Sequence, residues 1–321
     1  EVSWARQFKA YRPALSEAEA AELPEWLWNR LTATMPAAER DALARSWLEP
    51  APLDLRVNTH KISRDAALAA LAASGIEARP TPHSPLGLRV CGKPALLEHA
   101  LFASGALEVQ DEGSQLLGLL VAPRRHDMVA DFCAGAGGKS LLLGALMRSQ
   151  GRVYAFDVSA ARLSRLKPRL ARSGLSNVQP TLIDDERDQR IKRLAGKLDR
   201  VLVDAPCSGF GTLRRNPDLK WRHGAEAIAE LAAKQARILD AAATLLKPGG
   251  RLVYATCSVL RDENEAIVEG FVDAHPAFAL GDARSALARA GVALDTGRVL
   301  KLSTPRHACD GFFAAVLERA A

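Results

Sequence analysis

The sequence predicts an α/β protein with a mostly parallel sheet flanked by helices, preceded by a smaller α+β module. Three observations predict it. From Met128 onward, aliphatic strand-like runs alternate with helical repeats, the rhythm of a parallel sheet with helices on both faces. Ahead of that, a strand, a helix and a strand occupy residues 53–90. The chain has 321 residues, about twice the usual size of one domain.

Taken in order, residues 14–49 read as helical. Ser16 can act as a cap, with Glu19 closing a capping box. Leu23, Trp26, Leu27 and Leu31 repeat at helical spacing, and after Met35-Pro36 a second helix runs through Leu43 and Trp47 until Pro50 and Pro52 stop it. A strand is expected over residues 53–58, a helix over 64–74 ended by Gly75, and a strand over 87–90. Residues 1–105 are therefore expected as one domain and 106–321 as the next. In the second, strands are expected over 128–133, 152–158, 178–183, 200–204, 251–256 and 312–317. Helices are expected over 139–148, 160–173, 225–246 and 263–274. Ligands of such sheets bind at the carboxyl ends of the strands, near the topological switch.

Composition narrows the class. Hydrophobic residues make up 48% and charged residues 25%, enough apolar matter for a large core and no signal of disorder. The formal net charge of +6 permits an anionic partner such as nucleic acid without requiring one. Five cysteines (Cys91, Cys133, Cys207, Cys257 and Cys309) form no CxxC pair, which argues against a disulfide framework and against a metal such as zinc. Free thiols fit a reducing, cytoplasmic setting. No run of about 18 apolar residues suggests a membrane span. The opening EVSWARQFKAYRP lacks a signal-peptide core and an initiator Met, so a trimmed start is expected.

Three strand ends suggest a nucleoside site. The first strand runs into Asp131-Phe132-Cys133-Ala134-Gly135-Ala136-Gly137-Gly138-Lys139-Ser140, a glycine-rich turn at a helix start. The phosphate-loop pattern fails because Cys133 stands where its first glycine belongs, and the dinucleotide pattern is partial because Ser140 replaces its third. Asp157 ends the next strand, 20 residues beyond Gly137, where an acid can accept hydrogen bonds from ribose hydroxyls or cap the following helix. Asp184-Asp185 ends the third strand, and Asp184 is the favoured partner of an adenine amino group. S-adenosylmethionine is expected over NAD because the same sheet continues into a reactive-cysteine site.

That site is built from Asp204-Ala205-Pro206-Cys207-Ser208-Gly209 and Thr256-Cys257-Ser258, two cysteines at adjacent strand ends. Either alone reads equally well as a buried structural thiol. Two together point to methylation of cytosine carbon-5. That carbon is a poor nucleophile until a thiolate adds to carbon-6 and converts the ring to an enamine, a covalent route that methylation of oxygen or an exocyclic amine does not need. Asp204 can hydrogen-bond the N3/N4 edge of the base. The loop over residues 209–222 carries Arg214, Arg215, Lys220 and Arg222 with Phe210 and Trp221, a pattern that binds phosphates and stacks bases. Arg162, Arg165, Lys167, Arg169 and Arg172 read instead as the solvated face of a helix. A methyltransferase of exocyclic amines would carry Asn/Asp-Pro-Pro-aromatic where this chain has Ala-Pro-Cys-Ser. A non-catalytic RNA-binding assembly factor would have no use for both cysteines and all the cofactor acids.

The segments DFCAGAGGKS, DAPCSGFGTLRRNPDLKW, TCS and DGFF, with Leu55-Arg56-Val57-Asn58 and Gln110-Asp111-Glu112-Gly113-Ser114, resemble the Sun/Fmu and nucleolar (NOL/NOP/Sun) RNA cytosine-5 methyltransferases, bacterial ribosomal branch, across residues 53–319. The resemblance implies a Rossmann-like class I methyltransferase domain with a mostly parallel seven-stranded sheet, behind a small N-terminal RNA-binding domain. It implies that Cys257 attacks carbon-6 and that Cys207 assists product release. The family's cofactor residues fall on Cys133, Ala134, Gly135, Ala136, Gly137, Gly138, Lys139, Asp157, Asp184 and Asp204. The implied substrate is 16S ribosomal RNA, with transfer RNA as the alternative, and a monomer is expected. Two departures stand out: Ala136 occupies a position where the family usually has Pro, which predicts a less rigid turn, and about 50 residues precede the module, too few for a NusB-like domain.

Overall fold

Twelve strands form two sheets in the computed structural model, which describes residues 15–321. The opening EVSWARQFKAYRP, read as lacking a signal-peptide core, lies outside the described residues, as does Ala14.

The Ser16–Glu19 capping box forms, but its helix is one turn, Glu17–Ala20. Glu22 turns to a φ of 55°, and Pro24 caps a new helix, so the expected first helix is broken. Helices α1 (Glu25–Thr34) and α2 (Ala37–Trp47) follow. Their apolar faces, Leu27, Leu31, Leu43 and Trp47, share a core with Phe210, Leu213 and Leu260. They therefore cover the loops that carry Cys207 and Cys257. The small module has its own core. Strand β1 (Leu53–Val57), helix α3 (Arg64–Ala73), and strands β2 (Ala78–Pro80), β3 (Gly87–Val90) and β4 (Leu107–Val109) give an antiparallel sheet of order β2-β3-β1-β4 around Leu55, Leu71, Leu88 and Leu107. Its last strand runs to Val109, past the boundary expected at residue 105.

Helix α4 (Glu112–Val121) leads into the large sheet. This contains β5 (Met128–Asp131), α5 (Gly138–Leu146), β6 (Arg152–Asp157), α6 (Ala160–Ser173), β7 (Val178–Leu182), β8 (Leu198–Asp204), α7 (Ala225–Ala243), β9 (Leu246–Thr256), α8 (Glu265–Ala274), β10 (Phe278–Leu280), α9 (Ala283–Arg289), β11 (Leu300–Leu302) and β12 (Phe312–Arg319). The order is β10-β12-β9-β8-β5-β6-β7, with β11 paired off that path to β12. β7, β6, β5, β8 and β9 are parallel; β12 runs antiparallel to β9. Strands buried on both faces explain the unbroken apolar runs Val201-Leu202-Val203 and Leu252-Val253-Tyr254-Ala255, all fully buried. The chain lays β6 and β7 on one side of β5, then returns to place β8 and β9 on the other. A crevice opens at that reversal, at the carboxyl ends of β5 and β8.

Candidate active site

β5 ends at Asp131, two residues earlier than expected, and residues 132–137 make the turn into α5. The turn needs its glycines. Gly135 has a φ of 56° and Gly137 of 80°, and a Cβ on Gly137 would lie 2.1 Å from the Leu166 Cδ1 of α6. Gly135 N donates to Asp157 Oδ2 (2.8 Å), and Ser159 N donates to Asp157 Oδ1 (2.7 Å). Asp157 thus both supports the turn and starts α6. The crevice holds about 580 Å³ and is lined by Cys133, Ala134, Gly135, Ala136, Gly138, Lys139, Asp157, Asp204, Cys207 and Cys257. Gly137 packs beneath the turn instead of lining the crevice. Asp184 is exposed and is not among the lining side chains: its amide donates to Asp188 Oδ2 (3.0 Å), curling the loop away, while Ile183 and Glu186 form that wall.

The two cysteines meet. Cys207 Sγ lies 3.4 Å from Cys257 Sγ, and both thiols are free. The hydrogen bond to Cys257, then burial, pushes the Cys207 thiol well above its ordinary value, so Cys207 keeps its proton. Cys133 is also held protonated, by burial and by Asp131, Asp204 and Asp157 around it. Lys139 Nζ donates to Asp204 Oδ2 at 2.7 Å. Burial opposes the Lys139 charge, but Asp204, Asp131 and Cys257 together hold the ammonium above its usual value. A cation therefore sits beside the sulfur pair.

Glu263 went unnoticed in the sequence. Fully buried, it accepts from Ser208 N (2.8 Å), Ser208 Oγ (2.5 Å), Ser258 Oγ (2.5 Å) and Gln235 Nε2 (3.0 Å). One carboxylate thereby ties together the residues that follow both cysteines. Its segment, Asp262-Glu263-Asn264-Glu265, reads as exposed charge, and the only available signal was its distance of six residues from Cys257.

The basic segments behave differently from expectation. Arg214 and Arg215 are held by Asp310 at 2.6 and 2.5 Å, and Arg215 also meets Asp111 at 3.0 Å. Lys220 is buried, Arg222 pairs with Asp218, and Trp221 remains 64% exposed. Three of the loop's four basic groups are thus structural. Burial, with Asp310 nearby, pushes Asp111 up to about 6. On α6, Arg169 and Arg172 are not solvated: both grip Glu108 of β4, at 2.8 and 2.7 Å.

A class I methyltransferase is what this sheet order and switch-point crevice define, with a ferredoxin-like module ahead of it. The chain belongs to the RsmB/F methyltransferase family: the model described as "16S rRNA methyltransferase RsmB/F" matches residues 118–318, and the RsmF/B-like ferredoxin-like domain model matches residues 23–95. A probable ribosomal RNA small subunit methyltransferase B of Synechocystis is 34% identical over 95% of this chain and 69% of its own length. The chain spans 56–69% of the length of such bacterial relatives. A methyltransferase homolog from Pyrococcus horikoshii superposes with a TM-score of 0.79 at 27% identity, over 95% of this chain and 100% of that one. NSun6 from the same organism, solved with the S-adenosylmethionine analogue SFG, shares the fold (TM-score 0.81, 21% identity, 93% and 98% covered). The cofactor is S-adenosylmethionine. The crevice fits it: a Cβ at Gly135 would meet nothing within 4 Å, a carboxylate closes β6, and Val158, Ile183 and Ile238 supply apolar wall for a purine. Among the described residues no cluster could hold a metal ion, and no helix is long and apolar enough to cross a membrane.

Proposed function

We propose that the chain methylates carbon-5 of a cytosine in RNA, with 16S ribosomal RNA as substrate in the cytoplasm and transfer RNA as the alternative. The observation that carries this reading is the sulfur pair, 3.4 Å apart, in the same crevice as the 2.7 Å Lys139–Asp204 pair. S-adenosylmethionine supplies a methyl group activated on a sulfonium. The turn over residues 133–139 and Asp157 hold it, Asp157 by accepting from the ribose hydroxyls. Cys257 adds as thiolate to carbon-6, forming the S–C6 bond and moving electron density to carbon-5. Lys139, kept cationic at this spot, favours the anionic sulfur. Asp204 faces the N3/N4 edge. Once carbon-5 carries the methyl, with S-adenosylhomocysteine left behind, the carbon-5 proton passes to solvent, the C5–C6 double bond re-forms and S–C6 breaks, releasing Cys257 as thiolate. Cys207, which retains its proton in the free protein, assists that release. Exposed Trp221 offers a face for a base.

The direct experiment incubates the protein with methyl-labelled cofactor and either 16S ribosomal RNA or transfer RNA, then maps 5-methylcytosine. Label on one RNA at cytosine carbon-5 supports the reading and chooses the substrate. Label only at other atoms sinks it.

A further inference from the structure

The small module grips the methyltransferase domain at the end of α6. Lys61 Nζ donates to Arg172 O and Ser104 O, both at 2.6 Å. Asn58 Nδ2 donates to Ser173 O and Gly105 O, both at 3.0 Å. The Arg172 and Ser173 carbonyls belong to the last turn of α6, which lacks helical partners of its own, and the Lys61 charge meets the negative end of that helix. Glu108 of β4, 3% exposed, divides its two oxygens between Arg172 and Arg169. Burial this deep leaves the pairs weakly screened by salt.

Arg169 does one thing more. Its free nitrogen Nη1 donates to Ala136 O in the cofactor turn at 2.7 Å. Its Nη2 lies so near that a Cβ on Gly138 would come within 3.8 Å of it. One guanidinium thus joins the small sheet to the turn. The turn is otherwise closed by Gly137 N donating to Ala134 O (2.8 Å) and Gly135 N donating to Asp157, neither of which touches the Ala136 carbonyl. Gly135 is open on its Cβ side, and among the described residues the Ala136 amide donates no hydrogen bond. With no amide bond to lose, position 136 could take Pro, which would fix φ without help.

We propose that Arg169, oriented by Glu108, is a positioning residue that braces the Ala136 carbonyl, so that the small module sets the affinity of the cofactor turn. The inference rests on the reading that this crevice binds S-adenosylmethionine. It assigns the module a part in cofactor binding in addition to any contact with RNA. Lysine cannot replace the brace, because one ammonium cannot fork between Glu108 and Ala136 as a planar guanidinium does.

The test uses the full chain, with S-adenosylhomocysteine titrated by calorimetry and amide exchange followed over residues 134–139 without ligand. Arg169→Lys should raise Kd about tenfold, the effect of one charge-assisted hydrogen bond, and speed exchange in the turn. Glu108→Gln should do the same to a smaller degree, about threefold. Adding Ala136→Pro to Arg169→Lys should slow exchange again and return Kd to within about threefold of the parent. An Arg169→Lys variant with parental Kd and parental exchange overturns the proposal. So does a weakened Kd that Ala136→Pro leaves unchanged with exchange unaltered, since Arg169 would then be touching the ligand directly. Failure of the parent protein to bind S-adenosylhomocysteine would reject the reading of the crevice, while the exchange comparison still decides the brace.

Discussion

Cys207 Sγ lies 3.4 Å from Cys257 Sγ, although 50 residues separate them and neither forms a disulfide. The pair exists because β8 and β9 are parallel neighbours whose ends fall side by side, Asp204 opposite Ala255. At that distance two thiolates would repel, so the two sulfurs cannot both ionise. The contact with Cys257, then burial, holds the proton on Cys207. Cys257→Ala should abolish methyl transfer. Cys207→Ala should accumulate a protein–RNA adduct that survives denaturing electrophoresis. Exchanged phenotypes would reverse the two roles.

Glu263 is expected to matter as much as either thiol's neighbour. Glu263→Gln replaces an oxygen that accepts from two donors with an amide that donates, leaving Ser208 or Ser258 unsatisfied in a fully buried site. The cost should be about 2–3 kcal/mol in urea unfolding. Turnover should fall at least about tenfold at temperatures where the fold persists, because each 1.4 kcal/mol of lost alignment is a decade in rate. Binding of S-adenosylhomocysteine should be unchanged. Equal losses in turnover and cofactor affinity would mean that Glu263 supports the whole domain and not the cysteine loops.

Asp131 should reveal itself in the pH dependence of stability. Burial pushes its carboxyl up to about 7, against the lowering effect of the Ser140 hydroxyl at 2.6 Å, and its Oδ1 has no partner among the described residues. An acid with a raised folded-state pKa holds its proton more tightly folded than unfolded. Its contribution is therefore fully present below about pH 4, declines as pH rises to about 7, and is flat above. Asp131→Asn should remove that slope and stabilise the protein at pH 8 by on the order of 3 kcal/mol relative to the parent. The two proteins should converge near pH 4. A stability difference independent of pH would contradict the assignment.

The parallel α/β sheet and the thiol pair were legible because their signals are local. A glycine turn, an acid at a strand end and a cysteine after Pro206 are each read within a few residues, and parallel pairing then brings the strand ends together. Charged residues were misjudged for the opposite reason. Arg169 and Arg172 look solvated, and Arg214 and Lys220 look free for phosphate, in any short window, because the acids that pair with them are distant: Glu108 for the first two, Asp310 for Arg214, and Glu22 for Lys220. Glu263 escaped for the same cause. The three-residue strands β4 and β11 left no periodicity to find.

Gly211 and Gly311 meet in near-contact behind the sulfur pair. Gly211 N donates to Cys257 O and Gly311 N donates to Gly211 O, each at 2.8 Å, and a Cβ on Gly211 would sit 2.1 Å from Gly311 O. The loop behind one sulfur is thus tied directly to the strand end bearing the other, and a segment about a hundred residues later in the chain backs that tie. A side chain at position 211 would wedge these three segments apart and so loosen the setting of both thiols at once.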